Sequence, residues 1–175
     1  LLLAAHAYIN DGNYSSASNI LVSMQKSMVK VPTIQAEHIY LNARIVEKVQ
    51  NKQAALSLLQ YPPHWQLPRW QMATYHQYKA RLYKSLQQPI DQIRQLSLLS
   101  NYLPKTESTQ VNDVIWKVLQ PLQEETIQTF MREPANPVFS GWLQLAYIAK
   151  HYAIEPTQLV RYLGEWQRNN PHHPG

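Results

Sequence analysis

Residues 5–21 read AHAYINDGNYSSASNIL, and Ala5, Tyr8, Gly12, Tyr14, Ala17 and Leu21 fall on the spacing A-x2-Y-x3-G-x-Y-x2-A-x3-L. The grid recurs in weaker form 38 residues later as Ala43, Val46, Gln50, Lys52, Ala55 and Leu59. It recurs again 37 residues beyond that as Ala80, Tyr83, Gln87, Pro89, Gln92 and Leu96. A near-constant period of this length is the mark of stacked supersecondary units, each burying its apolar face on the next. The chemistry of the spacing is direct. Small residues twelve apart let two antiparallel helices approach closely, Tyr8 and Leu21 are expected to fill the space beside them, and Gly12 closes the first helix in a conformation that a β-carbon resists.

The spacing resembles that of a tetratricopeptide-type helix–turn–helix, so the chain is read as all-α, with tetratricopeptide-like stacked helical hairpins in an elongated, irregular superhelix. A last hairpin is expected near the C-terminus, where Trp142, Leu145, Ala146 and Ala149 line one helix and Pro156 opens the next. Leu159, Tyr162, Leu163 and Trp166 form an apolar stripe of helical period on that second helix. Between about residues 97 and 138 the period fails. That stretch holds a helix with Val114, Ile115, Val118, Leu119 and Leu122, which Pro121 is expected to kink or break. A further helix with Ile127, Phe130 and Met131 follows, ended by EPANP. YPPHWQLP and EPANP are connectors, and no sustained period-2 alternation competes. Residues 1–170 are taken as one helical domain and 171–175, in NNPHHPG, as the start of a linker to a missing C-terminal domain.

Composition agrees with helix: apolar residues make up 45%, charged residues 15%, and there are only 4 Gly. The net charge of +5 comes from 16 basic and 11 acidic residues scattered singly. Without a basic run this is a solvated surface, not a nucleic-acid footprint. The chain has no Cys, which removes disulfides, thiolate metal sites and Cys nucleophiles. The opening LLLAAHAYI is too short to span a membrane. Because the sequence opens inside an amphipathic helix without Met, it is expected to be a fragment of a longer chain.

Catalytic chemistry finds no foothold. His172–His173 lie in a Pro-rich segment without an enclosing shell, and His6, His38, His76 and His151 have no second His one turn away, so they are read as packing or surface residues. Glu124 and Glu125 point about 100° apart on a helix and cannot share a proton; they are read as a solvated face. There is no glycine-rich phosphate loop and no nucleophile elbow. The expectation is no enzyme, with no catalytic, cofactor-binding or metal residue and no cofactor. Five Trp and eleven Tyr remain to be placed. Met72, Tyr75, Leu82 and Leu86, with Tyr83 beside them, make a packing stripe, whereas Trp65, Arg69 and Trp70 are the candidate partner-binding residues.

The stretches GWLQLAYIAKHY and LVRYLGEWQRNNPHHP, with NDVIWKVLQPL and AAHAYINDGNY before them, make the chain similar to the N-terminal domain of the LpoA family. The resemblance covers essentially the whole sequence. It implies an outer-membrane lipoprotein on the periplasmic side that activates a bifunctional class A penicillin-binding protein and so promotes peptidoglycan synthesis. It also implies an N-terminal lipid anchor and a second domain like a periplasmic binding protein, both absent from this sequence. The helical part would then be a spacer and protein-interaction domain. Two other readings stay open: a generic tetratricopeptide-like scaffold for another complex, and a direct peptidoglycan-binding module built on Trp65, Trp70 and the tyrosines.

Overall fold

The computed structural model describes residues 1–25, 31–60, 67–131 and 136–169, with side chains at all of these except 160, 164 and 166–168. All regular structure among the described residues is α-helical, in agreement with the sequence reading. The helices are Leu2–Asn10 (α1), Tyr14–Gln25 (α2), Pro32–Val49 (α3), Lys52–Leu58 (α4) and Arg69–Ser85 (α5). They continue as Pro89–Ser100 (α6), Lys105–Leu119 (α7), Glu124–Phe130 (α8), Pro137–His151 (α9) and Pro156–Asn169 (α10).

Helix boundaries follow local chemistry. Pro32, Pro89, Pro137 and Pro156 each open a helix, where the missing N–H costs nothing and φ is already set. Asn13, Asn51 and Asn136 cap α2, α4 and α9, their side-chain oxygens accepting from the backbone N–H of Ser16 (3.1 Å), Ala54 (2.8 Å) and Phe139 (3.1 Å). Pro121 falls in the break between α7 and α8, as its lack of a donor requires.

Three turns close in the same way. Gly12, Gln87 and Ala153 have φ of 77°, 56° and 50°. In each case the next residue's N–H reaches back five residues: Asn13 to the Tyr8 carbonyl (2.8 Å), Gln88 to Tyr83 (3.0 Å) and Ile154 to Ala149 (2.8 Å). This is the Schellman closure, and it recurs at the first, third and last hairpins. The second hairpin differs: Gln50, at the equivalent position, has φ −117°.

The paired small residues meet as the grid requires. Ala5 packs with Ala17 and Leu21 in one core cluster, Ala43 with Ala55 and Leu59 in a second, and Ala80 with Leu96 in a third. The three clusters follow one another along the chain, held by α1–α3, α3–α5 and α5–α9. Tyr8 departs from expectation: it is 39% exposed. The buried face of α1 runs through Ala5 and Ile9, and Tyr8 lies about 100° round the helix from Ile9.

The two helices expected where the period fails are present, α7 packing on α6 and α8 on α9, but Leu122, expected in the first of them, lies beyond the end of α7. Other expectations are revised by the same geometry. In α9 the fully buried residues are Phe139 and Leu143 with Ala146 and Ala149, while Trp142 and Leu145 are only half-buried. On α10 Leu159 is buried, but Tyr162 and Leu163 are 57% and 40% exposed, so the stripe is largely uncovered among the described residues. The side chain of Trp166 and the expected linker at 171–175 lie outside the described residues.

Replacing Ala55 by Leu should cost roughly 1–3 kcal/mol through overpacking at a hairpin crossing. The same change at exposed Ala7 should stay within about 0.5 kcal/mol. Gln87→Gly should raise stability by roughly 0.5 kcal/mol by removing the left-handed penalty, less the entropy that glycine adds to the unfolded chain. Urea denaturation midpoints of the three variants check all three.

Candidate functional site

A row of polar side chains crosses from α1 to α3 to α5. His6 Nε2 lies 2.6 Å from Glu37 Oε1, and Arg44 donates to Asn10 Oδ1 at 2.9 Å. Gln71 Nε2 donates to the Thr33 carbonyl at 2.9 Å, and the Tyr75 hydroxyl donates to the Ala36 carbonyl at 2.6 Å. Tyr78 and Arg81 both donate to Glu47 Oε2, at 2.9 and 2.5 Å. Partner numbers rise together along each pair of helices, so α1, α3 and α5 run parallel, side by side. Between α5 and α6 the order reverses: Arg69 donates to the Asn101 carbonyl and His76 pairs with Gln95, as in an antiparallel hairpin.

The buried stripe of α5 is therefore Gln71, Tyr75, Tyr78 and Leu82, with Met72, Tyr83 and Leu86 only partly buried beside it. The packing reading of the tyrosines holds, but two of the buried positions were not in it. Gln71 escapes a hydrophobicity pattern because it is polar, and its burial depends on a carbonyl supplied by another helix. Burial raises the Tyr75 and Tyr78 hydroxyls above the usual phenol range, and the hydrogen bond to Glu47 adds to the effect at Tyr78. Tyr40 stands between them, its ring centroid 5.3 Å from that of Tyr78 in an edge-on contact.

Described residues line two clefts, one of them within this framework. The first, of about 550 Å3, is lined by α1, α3 and α5, the first helices of the three repeats. Trp70 borders it with its side chain 61% exposed, beside His6, Glu37, Tyr40 and Gln71. The second, of about 750 Å3, lies between α7, α9 and the start of α10. Trp116 and Trp142 meet edge-on within it at 5.3 Å, and the Lys150 ammonium closes the end of α7 by donating to the Gln120 carbonyl at 2.6 Å.

The three candidate binding residues are not brought together. Trp70 faces the first cleft, whereas Arg69, one residue away, is turned to the end of α6. Trp65 lies outside the described residues. Each helical histidine has a local partner: His38 Nε2 meets the Leu21 carbonyl at 3.0 Å, and His76 stacks on Tyr102. His151 pairs with Glu124 at 2.9 Å, so Glu124 is not simply a solvated group. His172 and His173 lie outside the described residues, among which no cluster of three metal-ligating side chains occurs and no helix is long and apolar enough to cross a membrane.

A family model described as LppC putative lipoprotein matches residues 1–175. Penicillin-binding protein activator LpoA of Vibrio cholerae is 30% identical over 174 residues, covering 99% of this chain and 29% of that protein. The protein of the same name from Photobacterium profundum is 29% identical over 99% of the chain and 28% of its own length. This chain thus spans less than a third of these curated relatives. Among solved structures, the E. coli LpoA amino terminal domain aligns with a TM-score of 0.70 at 23% identity, over 99% of this chain and 77% of that one. Full-length LpoA from Haemophilus influenzae aligns with a TM-score of 0.59 at 20% identity, over 98% and 31%. These structures support the all-helical fold.

His76 supplies a pH dependence. Burial lowers its pKa below the usual 6.5, against the hydrogen bond to Gln95, which raises it, and with the help of the nearby Lys79 charge. The unfolded chain therefore takes up this proton first as pH falls, and stability declines from about pH 6.5 downward. Urea midpoints at pH 7.5 and 5.5 should show a larger acid loss in the wild type than in H76Q.

Proposed function

This chain belongs to the LppC putative lipoprotein family, and on that premise we propose that it is a non-catalytic regulatory part of a penicillin-binding protein activator. The observation that carries the reading is the match along 99% of the chain to relatives that bear that activator's name. The activated partner is a class A penicillin-binding protein, a peptidoglycan synthase. The protein acts on the periplasmic side of the outer membrane, held there by an N-terminal lipid outside this sequence. Residues 1–170 form its helical domain, and 171–175 lead to a second domain.

In this reading the helical part is tetratricopeptide-like and serves as a spacer and a protein-interaction surface. A protein held in one membrane must reach a synthase held in another, and stacked hairpins give reach without flexibility. The hydrogen-bonded rungs between α1, α3 and α5 support that role, because they fix how each hairpin sits on the next.

The test is to anchor the full-length protein with the helical part deleted and to measure synthase activation in cells. Activation should fall to the level of cells without the protein. Activation equal to that of the intact protein would remove the spacer role.

A further inference from the structure

The cleft of α1, α3 and α5 has a chemical character unlike that of the chain as a whole. Sixteen Lys and Arg against eleven Asp and Glu give the protein a net charge of +5, yet no Lys or Arg lines this cleft. Its carboxylate is that of Glu37, whose Oε1 faces His6 while, among the described residues, Oε2 meets Gln71 Nε2 at a long 3.5 Å. Gln71 is 2% exposed, and its buried Oε1 has no hydrogen-bond partner among the described residues. Glu37 Oε2 therefore keeps acceptor capacity toward the cleft. Beside these acceptors stands Trp70, with most of its side chain open to solvent, and a rim formed by Leu2, Leu3 and Ile34.

We propose that this cleft is the docking site for a lysine or arginine side chain carried on a segment of a partner protein. The Trp70 ring receives the cation on its π-face and the Glu37 carboxylate accepts its N–H groups. The rim of Leu2, Leu3 and Ile34 covers the aliphatic stem and the apolar residues beside it. The assignment rests on the reading of this chain as a protein-interaction domain and names the chemistry that such a partner must present. Charge complementarity selects the occupant: a carboxylate with spare acceptor capacity, in a cleft without Lys or Arg, favours a cation over an acidic or purely apolar segment.

The experiment titrates the protein with acetyl-Leu-Arg-Leu-amide and acetyl-Leu-Lys-Leu-amide while following the Trp70 indole N–H by NMR. Acetyl-Leu-norleucine-Leu-amide supplies the uncharged control, and N-acetylglucosamine a sugar control. Both cationic peptides should shift the Trp70 signal and bind roughly tenfold more tightly than the norleucine peptide. W70A and E37Q should each weaken the cationic peptides by a similar factor, with unchanged helical circular dichroism; Trp70 is exposed, so W70A tests the site without disturbing the core. Equal binding of the norleucine peptide, retention of affinity in both variants, or saturation by the sugar without response to the cations would each overturn the proposal. Synthase activation by the intact protein is measured in parallel. Its absence defeats the functional reading, whereas the peptide titration judges the cleft alone.

Discussion

The hydroxyl of Tyr75 donates to the Ala36 carbonyl at 2.6 Å, in a site closed to water, and the continuity of the stack depends on the seam that this bond marks. Apolar contacts hold each hairpin internally and also bridge neighbours, Leu41 and Ile45 of α3 packing with the α1–α2 cluster and Tyr75, Tyr78 and Leu82 of α5 with the α3–α4 cluster. Beside those contacts, consecutive first helices present polar residues to one another. Thr33, Glu37 and Glu47 on α3 face Gln71, Tyr78 and Arg81 on α5. A surface of that kind gains little from sliding, since any shift along the axes breaks every rung at once. Each rung contributes only about 0.5–1.5 kcal/mol net, but leaving one buried and unmade costs more, so the set defines a single register.

That division explains what the sequence made legible. The alanines at 5, 17, 43, 55 and 80 repeat because close crossing of two helices tolerates little else, and their spacing survives as a readable signal. The starts at Pro89 and Pro156 and the Gly12 turn are legible for the same reason, since backbone geometry restricts the residue type, whereas Pro137, read within the connector EPANP, opens α9. Gln71, Tyr78 and Glu47 were not legible as a group. Each is ordinary in composition, and only the parallel placement of α3 and α5 makes them partners. Trp70 and Arg69 show the opposite failure: adjacency in sequence suggested a common surface, but a helix turns neighbours about 100° apart and sent them to different sides.

The turn closures show how far the repeat persists beneath its degraded sequence. Gly12 has been replaced by Gln87 in the third hairpin and by Ala153 in the last, yet the backbone keeps the left-handed residue and the same reach-back bond. Retaining that geometry with a β-carbon costs roughly 1–2 kcal/mol at each site. The closure therefore matters enough to be held by the packing around it: Ala80 and Ala146, seven residues before each turn, remain buried as Ala5 is. What the last hairpin lacks is cover on its second helix. Tyr162 occupies the place of Leu21 in the grid and is exposed, so α10 carries the stripe of a stacked helix with little packed on it among the described residues.

The same seam that sets the register also places the first cleft. Glu37 takes part in the α1–α3 contact through His6 and in the α3–α5 contact through Gln71, so the carboxylate assigned to an incoming cation already joins three helices. A ligand seated there touches α1, α3 and α5 together and binds only while they are aligned. By linkage it stabilises the aligned stack by the free energy with which it prefers that state. The apolar clusters shared between hairpins, at about 1.5–3 kcal/mol for each fully buried large side chain, set the alignment, and a ligand bound across the weaker polar rungs adds to it. Alignment of the three helices and occupancy of the cleft are thus coupled through one residue, Glu37.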